Sequence, residues 1–211
     1  MVSTLDISQT IEEFPFGTST ADLVFITIDE DAWDKRRVKL GIDTAILSMH
    51  RLEVFLELLK KGGAKRRNFI ADFDDKDKAV EGLEWLEDKG FIFEKNGYVQ
   101  VKSSLERHVT SAAVQVYSDD WKETFRRAYR CHKFAEYRFA AIPESEFNSV
   151  IEESDIFENL EVGLISVSPD TKKTEFKYVP DKTKTISAVD SWRINEQDAF
   201  IRMEEEDVAP R

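Results

Sequence analysis

Residues 111–143, SAAVQVYSDDWKETFRRAYRCHKFAEYRFAAIP, constrain the fold more than any other part of the chain. Residues 109–117 have the length and apolar character of a β-strand, residues 120–136 repeat apolar side chains at helical spacing, and residues 137–142 are again strand-like. A strand, an amphipathic helix and a second strand in succession are typical of a sheet with helices packed on its faces.

Further strands are predicted on both sides of this segment. Residues 10–16 and the nearly continuous apolar run 20–28 read as a hairpin with its turn at Gly17. Residues 161–168 and 174–179 are predicted to be two later strands. Residues 29–39, DEDAWDKRRVK, are so polar that we expect them to leave the core.

Between residues 42 and 102 the apolar residues recur mainly at helical spacing. Three helices are predicted there, with boundaries at Gly62-Gly63 and Gly90. A hairpin follows, turning at Asn96-Gly97, the pair favoured in type I′ turns. Three helices followed by a hairpin resemble a winged helix.

The predicted fold class is therefore α/β, a mixed sheet flanked by helices and interrupted by a winged-helix domain. The first part of the sheet domain is placed at 10–40, the inserted winged helix at 42–103, and the second part of the sheet domain at 108–180. Residues 181–211 are predicted to form a polar C-terminal extension, with a short helix at 199–206 and a frayed acidic end.

The order of these elements resembles the PD-(D/E)XK, or restriction-endonuclease-like, superfamily. In such nucleases one core strand carries an Asp and the next carries Glu-x-Lys; the carboxylates hold Mg²⁺ and the Lys helps to activate water. TADLVFI matches the first strand and makes Asp22 the counterpart, while AVQVY matches the second. The resemblance spans roughly residues 14–179.

The chain departs from this pattern at the catalytic positions. Gln115 stands in place of the Glu and Tyr117 in place of the Lys. A phenol with a pKa near 10 carries no positive charge at neutral pH. Related nucleases often carry Gln and Tyr on the following helix, where this chain has Arg127 and Cys131. We therefore expect Asp22, Gln115 and Tyr117 to be vestigial positions, with no metal and no cofactor.

One alternative keeps a metal site. If the protein were a divergent Mg²⁺-dependent endonuclease, Asp22 would bind the metal with Asp119, Asp120 or Glu123. The simpler interpretation is that Asp119 and Asp120 cap the N-terminus of the helix that follows.

Nucleic-acid contacts are predicted at two basic clusters. The first precedes the third helix of the winged helix, and the second follows one stripe of the helix at 120–136. The candidates are Lys60, Lys61, Lys65, Arg66, Arg67, Lys122, Arg126, Arg130 and Lys133. For the second cluster, on the helix at 120–136, the alternative is an ordinary solvated helix surface.

The third helix of the predicted winged helix, residues 74–89, is acidic. Its charges are Asp74, Asp75, Asp77, Glu81, Glu84, Glu87 and Asp88 against Lys76, Lys78 and Lys89. Such a helix would repel phosphates, so a basic protein partner is about as plausible for it as DNA.

The composition of the chain excludes or disfavours several kinds of function. The net charge of −12 disfavours nucleic-acid binding through overall charge but leaves a local basic face open. The single cysteine excludes an intramolecular disulfide and a cysteine-built zinc cluster. No apolar run has membrane-spanning length, so we expect a cytoplasmic protein without membrane contact. A homodimer is one option, and the sequence leaves the oligomeric state open.

Together these patterns predict a non-catalytic nuclease-like protein that binds DNA or serves as a scaffold in a DNA-associated complex for processing or defence. The alternatives are the divergent Mg²⁺-dependent nuclease and a winged-helix transcription regulator that dimerises through its sheet domain.

Overall fold

The computed structural model describes residues 7–103 and 105–208. These residues form two compact units. The first contains residues up to Ile28 together with Thr110–Asp190, and the second contains Asp29–Val109 together with the residues from Ser191 onward. The extreme C-terminus of the predicted extension, residues 209–211, lies outside the described residues.

Nine strands are described, and their bounds follow in chain order. They are β1 (Gln9–Phe16), β2 (Ser19–Ile28), β3 (Ala64–Lys65), β4 (Ile92–Lys95), β5 (Tyr98–Val101), β6 (Val109–Val116), β7 (Tyr137–Pro143), β8 (Gly163–Ser168) and β9 (Lys173–Tyr178).

The α-helices described are numbered separately. They are α1 (Glu30–Asp34), α2 (Met49–Lys61), α3 (Arg66–Ala71), α4 (Lys76–Asp88), α5 (Trp121–Arg130), α6 (Phe147–Ile151), α7 (Asp155–Asn159) and α8 (Ala188–Val208). A π-helical turn, Lys35–Lys39, continues α1, and 3₁₀ turns occupy Cys131–Lys133 and Glu144–Glu146.

The first unit is built on a six-stranded mixed sheet in the order β1-β2-β6-β7-β8-β9. The β1–β2 pair is antiparallel, β6–β7 and β7–β8 are parallel, and β8–β9 is antiparallel. Helix α5 provides the crossover that a parallel β6–β7 pair requires. The predicted α/β class with a mixed sheet flanked by helices is therefore confirmed.

Helix α5 covers one face of this sheet. Trp121, Phe125 and Ala128 pack against Ala140 and Ile142 of β7, because apolar residues three and four apart share one side of a helix. The helix ends earlier than the predicted residue 136. A 3₁₀ turn replaces its last part, and the buried Phe134 that follows packs on Phe14 and Phe16 of β1 at ring distances of 5.1 and 4.9 Å.

The second unit contains α2, α3 and α4 with a three-stranded sheet in the order β3-β5-β4. Asn96 and Gly97 join β4 to β5 with φ values of 54° and 73°, as a type I′ turn requires at both central positions. The two-residue strand β3 was not predicted. It joins the hairpin because Lys65 pairs with Tyr98 and Ala64 with Val99.

The prediction that residues 29–39 leave the core is wrong. Trp33 and Arg36 are both buried, with 4% and 1% of their surfaces exposed. The C-terminal helix is also longer than the predicted 199–206. Its Trp192 packs on Phe55 of α2 with ring centroids 4.9 Å apart, so this helix contributes to the core of the second unit.

A buried ion pair explains why Arg36 lies inside. Its Nη1 and Nη2 donate to the two carboxylate oxygens of Glu196 at 2.7 Å each. The backbone N–H of Ile46 and the side-chain amide of Asn195 also donate to Glu196, at 2.8 and 3.1 Å. These additional hydrogen bonds offset part of the cost of burying the charge pair, while Nε of Arg36 has no partner among the described residues.

None of the described helices combines the length and the apolar character needed to cross a membrane.

Changing Glu196 to Gln is expected to lower the free energy of unfolding by roughly 3–5 kcal/mol, because Arg36 stays buried without its counter-charge. Burial alone would raise the pKa of Glu196, but the Arg36 charge and three hydrogen-bond donors hold it below its ordinary value. The pair therefore stabilises above the ordinary glutamate pKa, and this contribution is lost as the pH falls through the lowered pKa.

Urea unfolding at several pH values measures both effects. The difference between the native chain and Glu196→Gln should be largest near neutrality. It should shrink as the pH falls below the ordinary glutamate pKa of about 4.3, where Glu196 of the unfolded chain protonates first, and continue to shrink toward the lowered pKa of the folded protein. Lys78→Ala is the control, because it breaks only the exposed 3.1 Å pair with Asp75 and should cost less than about 0.5 kcal/mol. A pH-independent difference would contradict the role of the charge.

Candidate functional site

The predicted vestigial positions lie side by side on two neighbouring strands. Asp22 is on β2, Gln115 is on β6, and these strands are adjacent in the sheet. One carboxylate oxygen of Asp22 accepts a 2.7 Å hydrogen bond from the backbone N–H of Val116. Its other oxygen accepts from the guanidinium of Arg127 on α5. The carboxylate is thus satisfied by a backbone donor and a permanent cation.

Gln115 is fully buried and faces α5. Its side-chain nitrogen donates to the carbonyl of Thr20 at 3.0 Å and approaches the sulfur of Cys131 at 3.5 Å. Its Oε1 has no hydrogen-bond partner among the described residues. The amide therefore links β6 to β2 and to the end of α5, and no part of it is exposed to solvent.

Cys131 completes this cluster but lacks the properties of a nucleophile. Burial raises the pKa of its thiol to about 12, although the hydrogen bond from Gln115 acts in the opposite direction. The sulfur also lies 3.5 Å from the carbonyl of Arg127. A thiol with this pKa carries almost no thiolate at neutral pH, so it behaves as a small buried side chain.

Tyr117 follows β6 and points to the adjoining turn. Its hydroxyl donates to the carbonyl of Asp119 at 3.0 Å. Desolvation raises its pKa, and the carboxylates of Glu146, Asp120 and Asp119 raise it further. The phenol is therefore neutral at physiological pH and does not replace the ammonium of a lysine.

Two of the three carboxylates proposed as substitute ligands have other partners. Asp120 caps α5 by accepting from the backbone N–H of Lys122 at 3.0 Å, as the capping interpretation predicts for it, whereas Asp119 precedes the cap. Glu123 pairs with Arg126 at 3.4 Å and with Arg130 at 4.0 Å. Across residues 7–103 and 105–208, no three His, Cys, Asp or Glu side chains are grouped closely enough to hold a metal ion.

The basic stripe of α5 is partly neutralised. Lys122 pairs with Glu153 at 2.7 Å, and Arg126 and Arg130 share Glu123. Lys133 lies in the 3₁₀ turn, near Gly17 of the β1–β2 turn, where an added Cβ would be 3.3 Å from its ammonium. This stripe therefore presents less net charge than its sequence indicates.

The other basic cluster divides into paired and unpaired members. Lys60 and Lys61 both pair with Glu57, and Lys61 also pairs with Asp72 at 3.1 Å. Arg66 contacts Glu87 and Glu94, at 3.3 and 2.9 Å. Lys65 and Arg67, in contrast, form no ion pair with any described residue.

Lys65 and Arg67 line an open depression of about 720 Å³ in the second unit. Its wall is formed by the start of α3 and by the β4–β5 turn, and it carries no carboxylate. The lining residues are Lys65, Arg66, Arg67, Asn68, Ile70, Asn96 and Gly97. Two amides and three cations around an open space suit an anionic ligand such as a phosphate group.

Sequence reasoning missed the contribution of Asn68 and the turn residues to this depression. The backbone N–H of Arg66 donates to the carbonyl of Gly97 at 2.9 Å and thereby holds the turn beside α3. The Asn96-Gly97 pair was visible as a turn, but nothing in the sequence placed it next to Lys65 and Arg67.

Two carboxylates at helix α4, those of Glu81 and Asp75, form hydrogen bonds within the protein. Glu81 accepts from His50 at 2.5 Å and from Arg51, and these hydrogen bonds lower its pKa. Asp75 caps the helix through the backbone N–H of Lys78 at 3.1 Å. The predicted basic protein partner for this helix remains a prediction.

Comparison with known proteins adds no family to these observations. No protein-family model, curated protein or solved structure matches the chain. The resemblance to PD-(D/E)XK nucleases therefore stays a prediction from the sequence.

In the folded protein, Cys131 is expected to resist alkylation by iodoacetamide at pH 8, because burial blocks access and a pKa of about 12 leaves almost no thiolate. Mass spectrometry of the native and urea-unfolded chain measures this, with complete labelling expected only after unfolding. Rapid labelling of the native chain would contradict the buried position of the thiol.

Proposed function

We propose that this chain is a non-catalytic, nuclease-like protein with an inserted winged helix, and that it binds the phosphate backbone of DNA through the depression beside Lys65 and Arg67. The observation that carries the proposal is the composition of that depression. It is open, it contains two cations without ion pairs, and no carboxylate lines it. In a chain with a net charge of −12, a local group of unpaired cations is the surface most favourable to an anionic ligand.

The strand order supports the nuclease-like part of the proposal. An antiparallel β1–β2 pair leads to the parallel β6–β7–β8 strands, with the matching positions Asp22 and Gln115 on the adjacent β2 and β6. The order α2-β3-α3-α4-β4-β5, with a three-stranded sheet, supports the winged helix. Both remain proposals.

The ion pair between Asp22 and Arg127 supports the absence of catalysis. A guanidinium already neutralises the one carboxylate that matches a metal ligand, and Mg²⁺ needs oxygen ligands in near-octahedral arrangement. The neighbouring Gln115 is neutral and turned inward. Binding of Mg²⁺ here would require Arg127 to be displaced and further carboxylates to be supplied.

We expect no Mg²⁺-dependent cleavage of plasmid or linear duplex DNA, because Asp22 is paired with Arg127 and no group of three candidate ligands among the described residues could hold a metal ion. The native chain and Asp22→Ala should give the same background on an agarose gel, with and without Mg²⁺. Cleavage that requires Mg²⁺ and disappears in Asp22→Ala would overturn the non-catalytic proposal in favour of the divergent nuclease.

Duplex DNA should bind at low salt with an affinity that falls steeply as salt increases, since phosphate contacts release counterions. Changing Lys65 and Arg67 together to Ala removes two phosphate contacts and should reduce the slope of log K against log salt by about 1.8. Fluorescence anisotropy with a labelled duplex measures both the affinity and the slope.

The matched control changes Lys60 and Lys61 to Ala. It removes the same formal charge from side chains that already pair with Glu57 and Asp72, so its effect should be clearly smaller. Loss of binding with Lys122, Arg126 and Arg130 changed to Ala, but not with Lys65 and Arg67 changed, would move the contact to α5. No duplex affinity at low salt would favour the scaffold role and contradict DNA binding.

A further inference from the structure

The outward face of the three-stranded sheet in the second unit combines aromatic rings and lysines. Directly paired residues of antiparallel strands point to the same face. Lys65 of β3 and Lys95 of β4 both pair with Tyr98 of β5, so the three side chains form a row across the sheet. Phe93 pairs with Gln100 in the next outward row.

The two rings of this face are exposed and unstacked. Phe93 is 41% exposed and Tyr98 is 42% exposed, whereas the inward Ile92, Val99 and Val101 are buried. Within the described part of the chain, neither Phe93 nor Tyr98 stacks on another ring or a cation. The core therefore does not use these rings, although single exposed aromatics are common on protein surfaces.

Gly63 gives the Tyr98 ring a defined position. A Cβ at residue 63 would lie 2.7 Å from Cε1 of Tyr98 and 2.9 Å from Cβ of Gln100, so only glycine permits the ring to lie across this backbone. Gly63 also has φ of 115°, which L-residues rarely adopt. The ring edge at Cε1 thus occupies space that any side chain at residue 63 would need.

The charged side chains at the outward positions of the three strands are all positive. Lys65 and Lys95 form no ion pair with a described residue, and the outward positions of the three strands carry no carboxylate. Adjacent strands are about 4.8 Å apart, so the two lysine Cα atoms are roughly 10 Å from each other with Tyr98 between them. Lys65 also lines the basic depression, which makes the two surfaces continuous.

We infer that this face, Lys65, Phe93, Lys95, Tyr98 and Gln100, binds single-stranded nucleic acid by stacking unpaired bases on Tyr98 and Phe93. Aromatic rings beside unpaired cations are the combination by which proteins hold single strands without reading sequence. In a duplex the base faces are covered by neighbouring base pairs, so these rings discriminate in favour of unpaired bases. The inference rests on the proposed nucleic-acid binding and specifies its ligand.

The test compares a labelled oligothymidylate with a labelled duplex of the same length, using anisotropy and the full chain. The native protein should bind the single strand more tightly. Tyr98→Ala should raise the single-strand Kd roughly tenfold, because stacking on one aromatic side chain contributes about that factor, and should leave the duplex Kd unchanged. Tyr98→Phe keeps the ring and should retain native affinity.

Two further variants complete the design. Phe93→Ala provides a second test that does not disturb the contact over Gly63, and it should weaken single-strand binding in the same direction. Phe176→Ala removes a ring that is 55% exposed on β9 of the first unit, and it should have no effect. Lys95→Ala should reduce the salt slope for the single strand by about 0.7.

The outcomes separate this inference from the proposal on which it rests. If duplex binding depends on Lys65 and Arg67 while Tyr98→Ala and Phe93→Ala change nothing, only the single-strand inference fails. If Tyr98→Ala weakens the single strand and the duplex equally, the stacking role is also overturned. If neither oligonucleotide binds at low salt, both proposals fail.

Discussion

The second unit depends on one buried ion pair. Arg36 and Glu196 are 160 residues apart in the sequence, yet each is almost fully buried against the other. Glu196 also accepts the N–H of Ile46, and Arg36 donates to the carbonyl of Thr44 at 2.8 Å. These bonds fix α8 to the segment that leads into α2. An arrangement that buried only one of the two charges would leave it without its partner, at a large cost in free energy.

The first unit also contains an ion pair, and this pair lies at the positions where the family resemblance predicts a metal site. Arg127 and Asp22 bring a guanidinium to the carboxylate that the family resemblance assigns to a metal. A metal ion keeps coordination positions open for water and phosphate, whereas a guanidinium is permanently charged and offers only hydrogen-bond donors. At these sheet positions the Asp22 carboxylate therefore contributes to structure, through its hydrogen bond to β6 and its ion pair with α5.

The sequence predicted those parts of the fold that depend on neighbouring residues. The apolar run of β2, the helical spacing of α5 and the Asn96-Gly97 turn are local signals, and all three elements are found. The segment around Arg36 was predicted wrongly, because local polarity says nothing about Glu196 at the far end of the chain. Pairs of this kind become visible only when the tertiary structure brings the partners together.

The candidate site also has features that the sequence predicted and features that only the tertiary structure shows. The sequence identified Lys65 and Arg67 as part of a basic cluster. It could not distinguish them from Lys60, Lys61 and Arg66, which belong to the same cluster. The structure separates them by their partners, since Glu57, Asp72, Glu87 and Glu94 neutralise the latter three. The alignment of Lys65 with Tyr98 also depends on β3, a strand of two residues that is too short to leave a periodic pattern.

Under the proposed function, the overall charge restricts where a nucleic acid can approach the protein. A net charge of −12 repels a polyanion from most approaches, so contact is favourable only where unpaired cations exceed nearby acids. A rigid duplex brings a dense row of phosphates toward the acidic helix α4 as well as toward Lys65. A single strand can follow the short basic face and add base stacking on Tyr98 and Phe93, which is uncharged and therefore hardly weakened by salt. In the proposed single-strand complex, stacking would add affinity to phosphate contacts that the net charge of the protein weakens.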